Sequence, residues 1–131
     1  MRAVKNSSSD QTIIDMARRA IKIESEAVAG LTERIDDAFV NIVHHIDKCQ
    51  HLVITGMGKS GIIGKKIAST FASLGLPTLF IHAAEASHGD LGMIVKNDTV
   101  IAISNSGETE EVLKLLPSFK RVNCTLVALT G

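Results

Sequence analysis

A chain of 131 residues, 45% of them hydrophobic, suits one domain with a real core, and with only 3% aromatic residues that core must be aliphatic. Fourteen basic and fourteen acidic side chains cancel, and no cluster of Phe, Tyr or Trp offers a stacking platform, so a nucleic-acid partner is excluded. Cys49 and Cys124 lie far apart and read as reduced, partly buried thiols rather than a disulfide framework.

No apolar segment is long enough to span a membrane. The polar stretch from Met1 to Ser9 lacks the apolar core of a signal peptide and is expected to fray. A cytoplasmic protein without a membrane partner is the expectation. Ser9 or Asp10 is placed to cap a first helix running to about Leu31, with Ile13, Ala17, Ile21, Val28 and Leu31 on one stripe. Thr32 is the expected cap of a second helix, whose stripe is Ile35, Phe39, Ile42, Val43 and Ile46. Both helices precede any strand, so they need the later sheet or a second subunit to pack against.

From residue 51 strand and helix alternate. His51–Thr55 reads as a strand, Gly56–Gly61 as a turn, and Ile62–Leu74 as a helix stopped by Gly75 and Pro77. Thr78–Ile81 is a second strand, and Ala83 to about Asp90 a short helix or ordered loop. Thr99–Ile103 is a third strand. A helix from Glu108 to Arg121 follows, which Pro117 should bend or divide near Leu116. Thr125–Leu129 is the fourth strand. The strands lack polar alternation, so the fold class is α/β: a doubly wound, flavodoxin-like parallel sheet flanked by helices, with two leading helices. A ligand is expected beyond the carboxyl ends of the strands, where residues 56–61, 82–90 and 104–111 fall. A doubly wound sheet normally continues with a helix after such a strand, so residues 1–131 read as the front part of a longer domain.

Three motifs at that edge carry chemistry. Ser104-Asn105-Ser106-Gly107 leads from a strand to a helix, and Thr109 adds another hydroxyl. One hydroxyl there would simply cap the helix; three with a glycine suggest an anion-binding cup. Gly56-Met-Gly-Lys-Ser-Gly61 fits the glycine pattern of dinucleotide sites, but no acidic residue ends the second strand to hold a ribose. Val53 stands where a phosphate-binding P-loop needs its first glycine. What remains is a tight turn presenting Lys59 and Ser60, a cation and a hydroxyl suited to phosphate or to an enolate oxygen. His82, Glu85, His88 and Asp90 crowd the exit of the second strand. Their spacing matches no helical metal motif, which leaves His82 and His88 as weak metal candidates and His88 as part of a polar wall. Glu108, Glu110 and Glu111 suit a helix start by charge alone. Helical geometry sends Glu108 and Glu111 to a similar face, so either is a candidate base.

Gly56–Gly64, Ala84–Met93 and Ile103–Thr109, standing in this order, resemble the sugar isomerase (SIS) domain, and within it the arabinose-5-phosphate isomerases. The resemblance implies interconversion of ribulose 5-phosphate and arabinose 5-phosphate without a cofactor, supplying the Kdo precursor of lipopolysaccharide. It implies phosphate binding by Ser60, Ser104, Asn105, Ser106, Gly107 and Thr109, and catalytic roles for Lys59, Glu111 and His88. It also implies a homotetramer, and a second glutamate and a further histidine beyond residue 131. The alternatives the same cup would serve are an isomerase of another sugar phosphate and, outside the isomerases, a sugar-phosphate sensor that binds without turnover.

Overall fold

The computed structural model describes residues 7–86 and 89–131. His88 therefore lies outside the described residues. The chain forms two compact units, Met1–Val40 and Asn41–Gly131.

The first unit contains helix α1 (Ser7–Gly30), a 3-10 turn (Leu31–Arg34) and the start of helix α2 (Asp37–Lys48). Ser9 and Asp10 sit inside the first turn of α1 rather than capping it. The cap of α2 is also not Thr32, whose Oγ1 donates back to the Ala29 carbonyl at 2.8 Å. Asp36 does that work: its Oδ1 accepts from the N–H groups of Ala38 and Phe39. A carboxylate outperforms a Thr hydroxyl here because it accepts two bonds at once and complements the positive helix end. The apolar stripe of α1, including Ile13, Ile21 and Val28, is solvent-exposed.

The second unit is built on a four-stranded parallel sheet in the order β2-β1-β3-β4. Its strands are β1 (Leu52–Gly56), β2 (Thr78–His82), β3 (Thr99–Ile103) and β4 (Thr125–Leu129). Their β-branched, apolar runs are what a strand covered on both faces requires. Side chains alternate between two layers. Val53, Ile81, Val100 and Ala102 meet Val112, Leu115 and Phe119 on one face. Leu52, Ile54, Ile101 and Ile103 meet Ala68, Phe71 and, from the end of α2, Ile46 on the other. Helix α3 (Gly58–Ser73) lies close on that second face. A Cβ at Gly64 would stand 3.1 Å from Ile54 Cγ2 and 3.2 Å from Phe80 Cε2, so any side chain there would push these neighbours back.

Two boundaries differ from expectation. Helix α3 begins at Gly58, so the glycine-rich segment is a strand end and a first helical turn rather than a free turn. The helix expected from Glu108 begins at Glu110 instead, as α4 (Glu110–Leu113), which leaves Glu108 in the loop. The division at Pro117 is present: α5 (Leu116–Val122) restarts with the proline in its first turn, where a missing N–H is harmless.

Opposite the strands' carboxyl ends, the sheet is tied together through Asp98. Its carboxylate is fully buried and accepts from the His51 N–H (3.1 Å), His51 Nδ1 (3.0 Å) and the Val95 N–H (2.8 Å). Its backbone carbonyl accepts from the Thr125 N–H at 3.0 Å. One residue thus ties the entrances of β1, β3 and β4. Cys49 and Cys124 lie near this edge, and burial raises both thiol pKa values. They are poor nucleophiles at neutral pH, because reactivity follows the thiolate.

Candidate functional site

In a doubly wound sheet the strand order reverses beside the first strand, here between β1 and β3, and ligands bind outside the carboxyl ends at that point. Register places the four strand ends level: Gly56 pairs with His82 and with Ile103, and Ile103 pairs with Leu129. The segments after β1 and β3 are therefore neighbours by construction.

Gly56 allows the tight exit from β1. A Cβ there would lie 3.1 Å from the Ile103 carbonyl oxygen and 3.2 Å from the Gly61 N–H, both backbone and unable to yield. The chain then enters α3 at once, so the first-turn N–H groups face the edge without intrahelical partners. No acidic side chain occupies that turn, and its sixteen residues give a helix dipole of useful size. Lys59 is exposed there and, among the described residues, pairs with no carboxylate.

After β3 the hydroxyls are organised more tightly than their spacing implied. Ser104 is buried at 4% exposure, and its N–H donates to the Leu129 carbonyl at 3.1 Å. Its Oγ lies 2.7 Å from Thr109 Oγ1. Two hydroxyls bonded to each other use one proton between them and leave the other free to donate. Ser106 behaves as the plainer expectation for a single hydroxyl: its Oγ accepts from the Glu108 N–H at 3.2 Å. The Gly107 N–H donates to the Ser104 carbonyl, which closes the turn. Helix α4 has only four residues, so positive charge here comes from α3 and Lys59 rather than from the helix after the cup.

A cavity of about 230 Å³ joins the two segments, lined by Ser60, Ile103, Asn105, Leu129, Thr130 and Gly131. It is smaller than the roughly 300–1,000 Å³ of whole-ligand pockets. Glu111 lines a different cavity of about 440 Å³, with Ala83, Ala84, Leu91, Lys114, Leu115 and Ser118. Glu110 is tied to Lys114 at 2.7 Å, which lowers its pKa and raises that of Lys114 through a hydrogen bond and charge attraction. Glu111 and Glu108 have no such ion pair among the described residues, and of the two Glu111 lines this cavity. His82 turns to the α3 face, where it lines a cavity of about 140 Å³ with Gly58, Gly61, Ile62, Lys65 and Phe80. Its Nδ1 is buried without a partner. Among the described residues no three His, Cys, Asp or Glu side chains form a metal-binding group.

Hydroxyls, helix N–H groups and a lysine thus gather at the switch point of a parallel α/β sheet. Residues 45–131 match the model of the SIS domain, and the chain belongs to that family. It is 50% identical over 127 residues to arabinose 5-phosphate isomerase KdsD of Pseudomonas aeruginosa, and 43% identical over 129 residues to arabinose 5-phosphate isomerase KpsF of an Escherichia coli strain. These alignments take in 96% and 97% of this chain but only 39% of either relative. A solved Escherichia coli CFT073 protein in complex with a sugar phosphate superposes with a TM-score of 0.85 at 44% identity, covering 92% of this chain and 64% of that one. No helix among the described residues is long and apolar enough to cross a membrane.

Proposed function

We propose that this chain is the phosphosugar-binding part of an aldose–ketose isomerase that interconverts ribulose 5-phosphate and arabinose 5-phosphate. The observation that carries the reading is the part-buried Ser104–Thr109 hydroxyl pair set level with the free amides of α3. A phosphate oxygen there meets one hydroxyl donor from the pair and further N–H donors from the start of α3. The likeness to named arabinose 5-phosphate isomerases supports the choice of sugar. With the phosphate held, Ser60 and Asn105 fix one end of the substrate, and the carbon to be deprotonated lies toward Glu111.

In this proposal Glu111 takes the proton from the carbon beside the carbonyl. The electron pair moves onto the carbonyl oxygen, and Lys59 stabilises the enediolate. A proton passes from the neighbouring hydroxyl to the enediolate oxygen, and return of the abstracted proton to the neighbouring carbon forms the new carbonyl, so no redox cofactor is consumed. His88, which lies outside the described residues, is proposed as a further polar wall of the same site. Supply of a Kdo precursor for lipopolysaccharide, a homotetramer and a cytoplasmic location accompany this proposal as consequences of the family reading.

The test is exchange of substrate hydrogen with deuterated water, followed by NMR. The assay uses the chain continued by the remaining sequence of the Pseudomonas aeruginosa relative. Arabinose 5-phosphate should exchange at least tenfold faster than glucosamine 6-phosphate. Equal exchange of both sugars would remove the pentose assignment, and binding without any exchange would favour a sensor.

A further inference from the structure

One buried polar group is left over by everything above. Thr55 is 1% exposed, and its Oγ1 has no hydrogen-bond partner. Register sets it beside Ile81 on β2 and Ala102 on β3, with Val53 two residues back, so its surroundings in the sheet are aliphatic. Valine has the same shape and fills such a place without a hydroxyl to desolvate, so packing does not account for threonine. Thr55 also lies directly before Gly56, at the strand end that carries Lys59 and Ser60.

A second observation concerns the same spot. The end of β1 and the turn after β2 are joined by the Ala83 N–H donating to the Gly56 carbonyl at 3.5 Å, well beyond the usual 2.7–3.2 Å range of such bonds. The joint is slack, and the orphan hydroxyl belongs to the residue next to it. Ala83 and Ala84 line the cavity that holds Glu111, so the level of this turn sets one wall of the proposed reaction space.

We propose that Thr55 is a positioning residue whose hydroxyl acquires its hydrogen bond only when a sugar phosphate is bound. The bond is made to the backbone of the 83–86 turn as that turn tightens against the end of β1. The hydroxyl is kept at a cost to the unliganded fold because it favours the loaded arrangement. This inference rests on the sugar-phosphate reading above.

Thermal unfolding of the chain with and without arabinose 5-phosphate tests it, because ligand that binds only the folded state raises the melting temperature by an amount set by its affinity. Thr55→Val should melt a few degrees above the parent without ligand, yet show a ligand-induced rise corresponding to at least tenfold weaker binding. Thr55→Ser, which keeps the hydroxyl, should respond to ligand like the parent. A valine variant that responds to ligand as the parent does would overturn the proposal. So would one that melts lower without ligand, because the hydroxyl would then already have a partner. If the parent itself gives no response, the sugar-phosphate reading fails and Thr55 loses this role with it; that result differs from a defect confined to the variant.

Discussion

Asp98→Ala should lose about 3–5 kcal/mol of folding stability, a large share of the roughly 5–15 kcal/mol typical of a domain. The carboxylate is fully buried and accepts three hydrogen bonds, two from His51 and one from the Val95 N–H. Alanine leaves those donors without an acceptor, and the His51 N–H cannot move away because it belongs to the entrance of β1. Each donor left unpaired costs up to about 1–3 kcal/mol, less where water reaches it. The cavity left by the side chain adds to this. Asp98→Asn should fall between the two, because its amide nitrogen must face one of the donors. Urea unfolding followed by circular dichroism reads the effect as a shift of midpoint at constant slope. A loss below about 1 kcal/mol for the alanine variant would show that the His51 and Val95 bonds are replaced by water at little cost.

The second large effect concerns chemistry. Glu111→Gln should slow exchange of substrate hydrogen by about 10²–10⁴-fold, the range a positioned general base contributes. The substitution preserves shape and removes only the ability to take a proton. Affinity for arabinose 5-phosphate should change little, because phosphate is proposed to bind at Ser104, Thr109 and the start of α3, while Glu111 lines a separate cavity. The measurement needs the chain continued by the rest of a relative's sequence, since 131 residues span 39% of the curated isomerases it matches. Exchange at the parent rate would remove Glu111 as the base and leave Glu108 as the next carboxylate to test. Glu110 is the weaker choice, because it is engaged by Lys114.

Much of this architecture is legible in the residues. Four short aliphatic runs, separated by glycine-rich or polar turns, are enough to specify a parallel sheet, and Pro117 marks the break between α4 and α5. The level edge formed by Gly56, His82, Ile103 and Leu129 follows once the strands are assigned. Where reading failed, the cause was tertiary. Gly58 to Gly61 look like a turn because glycine disfavours helix, yet they form the first turn of α3, where Gly61 packs closely on the end of β1. Glu108 suits a helix start by charge, but the Ser106 hydroxyl takes its N–H and holds it in the loop.

Asp98 has no local signal at all. An Asp before a strand reads as a turn residue, and its partner His51 lies 47 positions away. Thr55 is hidden for the opposite reason: a β-branched residue in a strand looks unremarkable until its hydroxyl is found without a partner. The partition of Ser60 and Asn105 into one cavity and Glu111 into another depends on side-chain placement that spacing cannot give.

The most direct test of the phosphate cup is calorimetric titration of arabinose 5-phosphate into this chain and into Ser104→Ala. Ser104 is the choice because it is the buried member of the hydroxyl pair, and its loss also frees Thr109 from its fixed geometry. The parent should bind saturably with one site per chain, and the variant at least tenfold more weakly, about 1.4 kcal/mol, with a melting temperature in the absence of ligand lowered by no more than a few degrees. Equal binding by parent and variant would contradict the placement of the phosphate at this edge of the sheet.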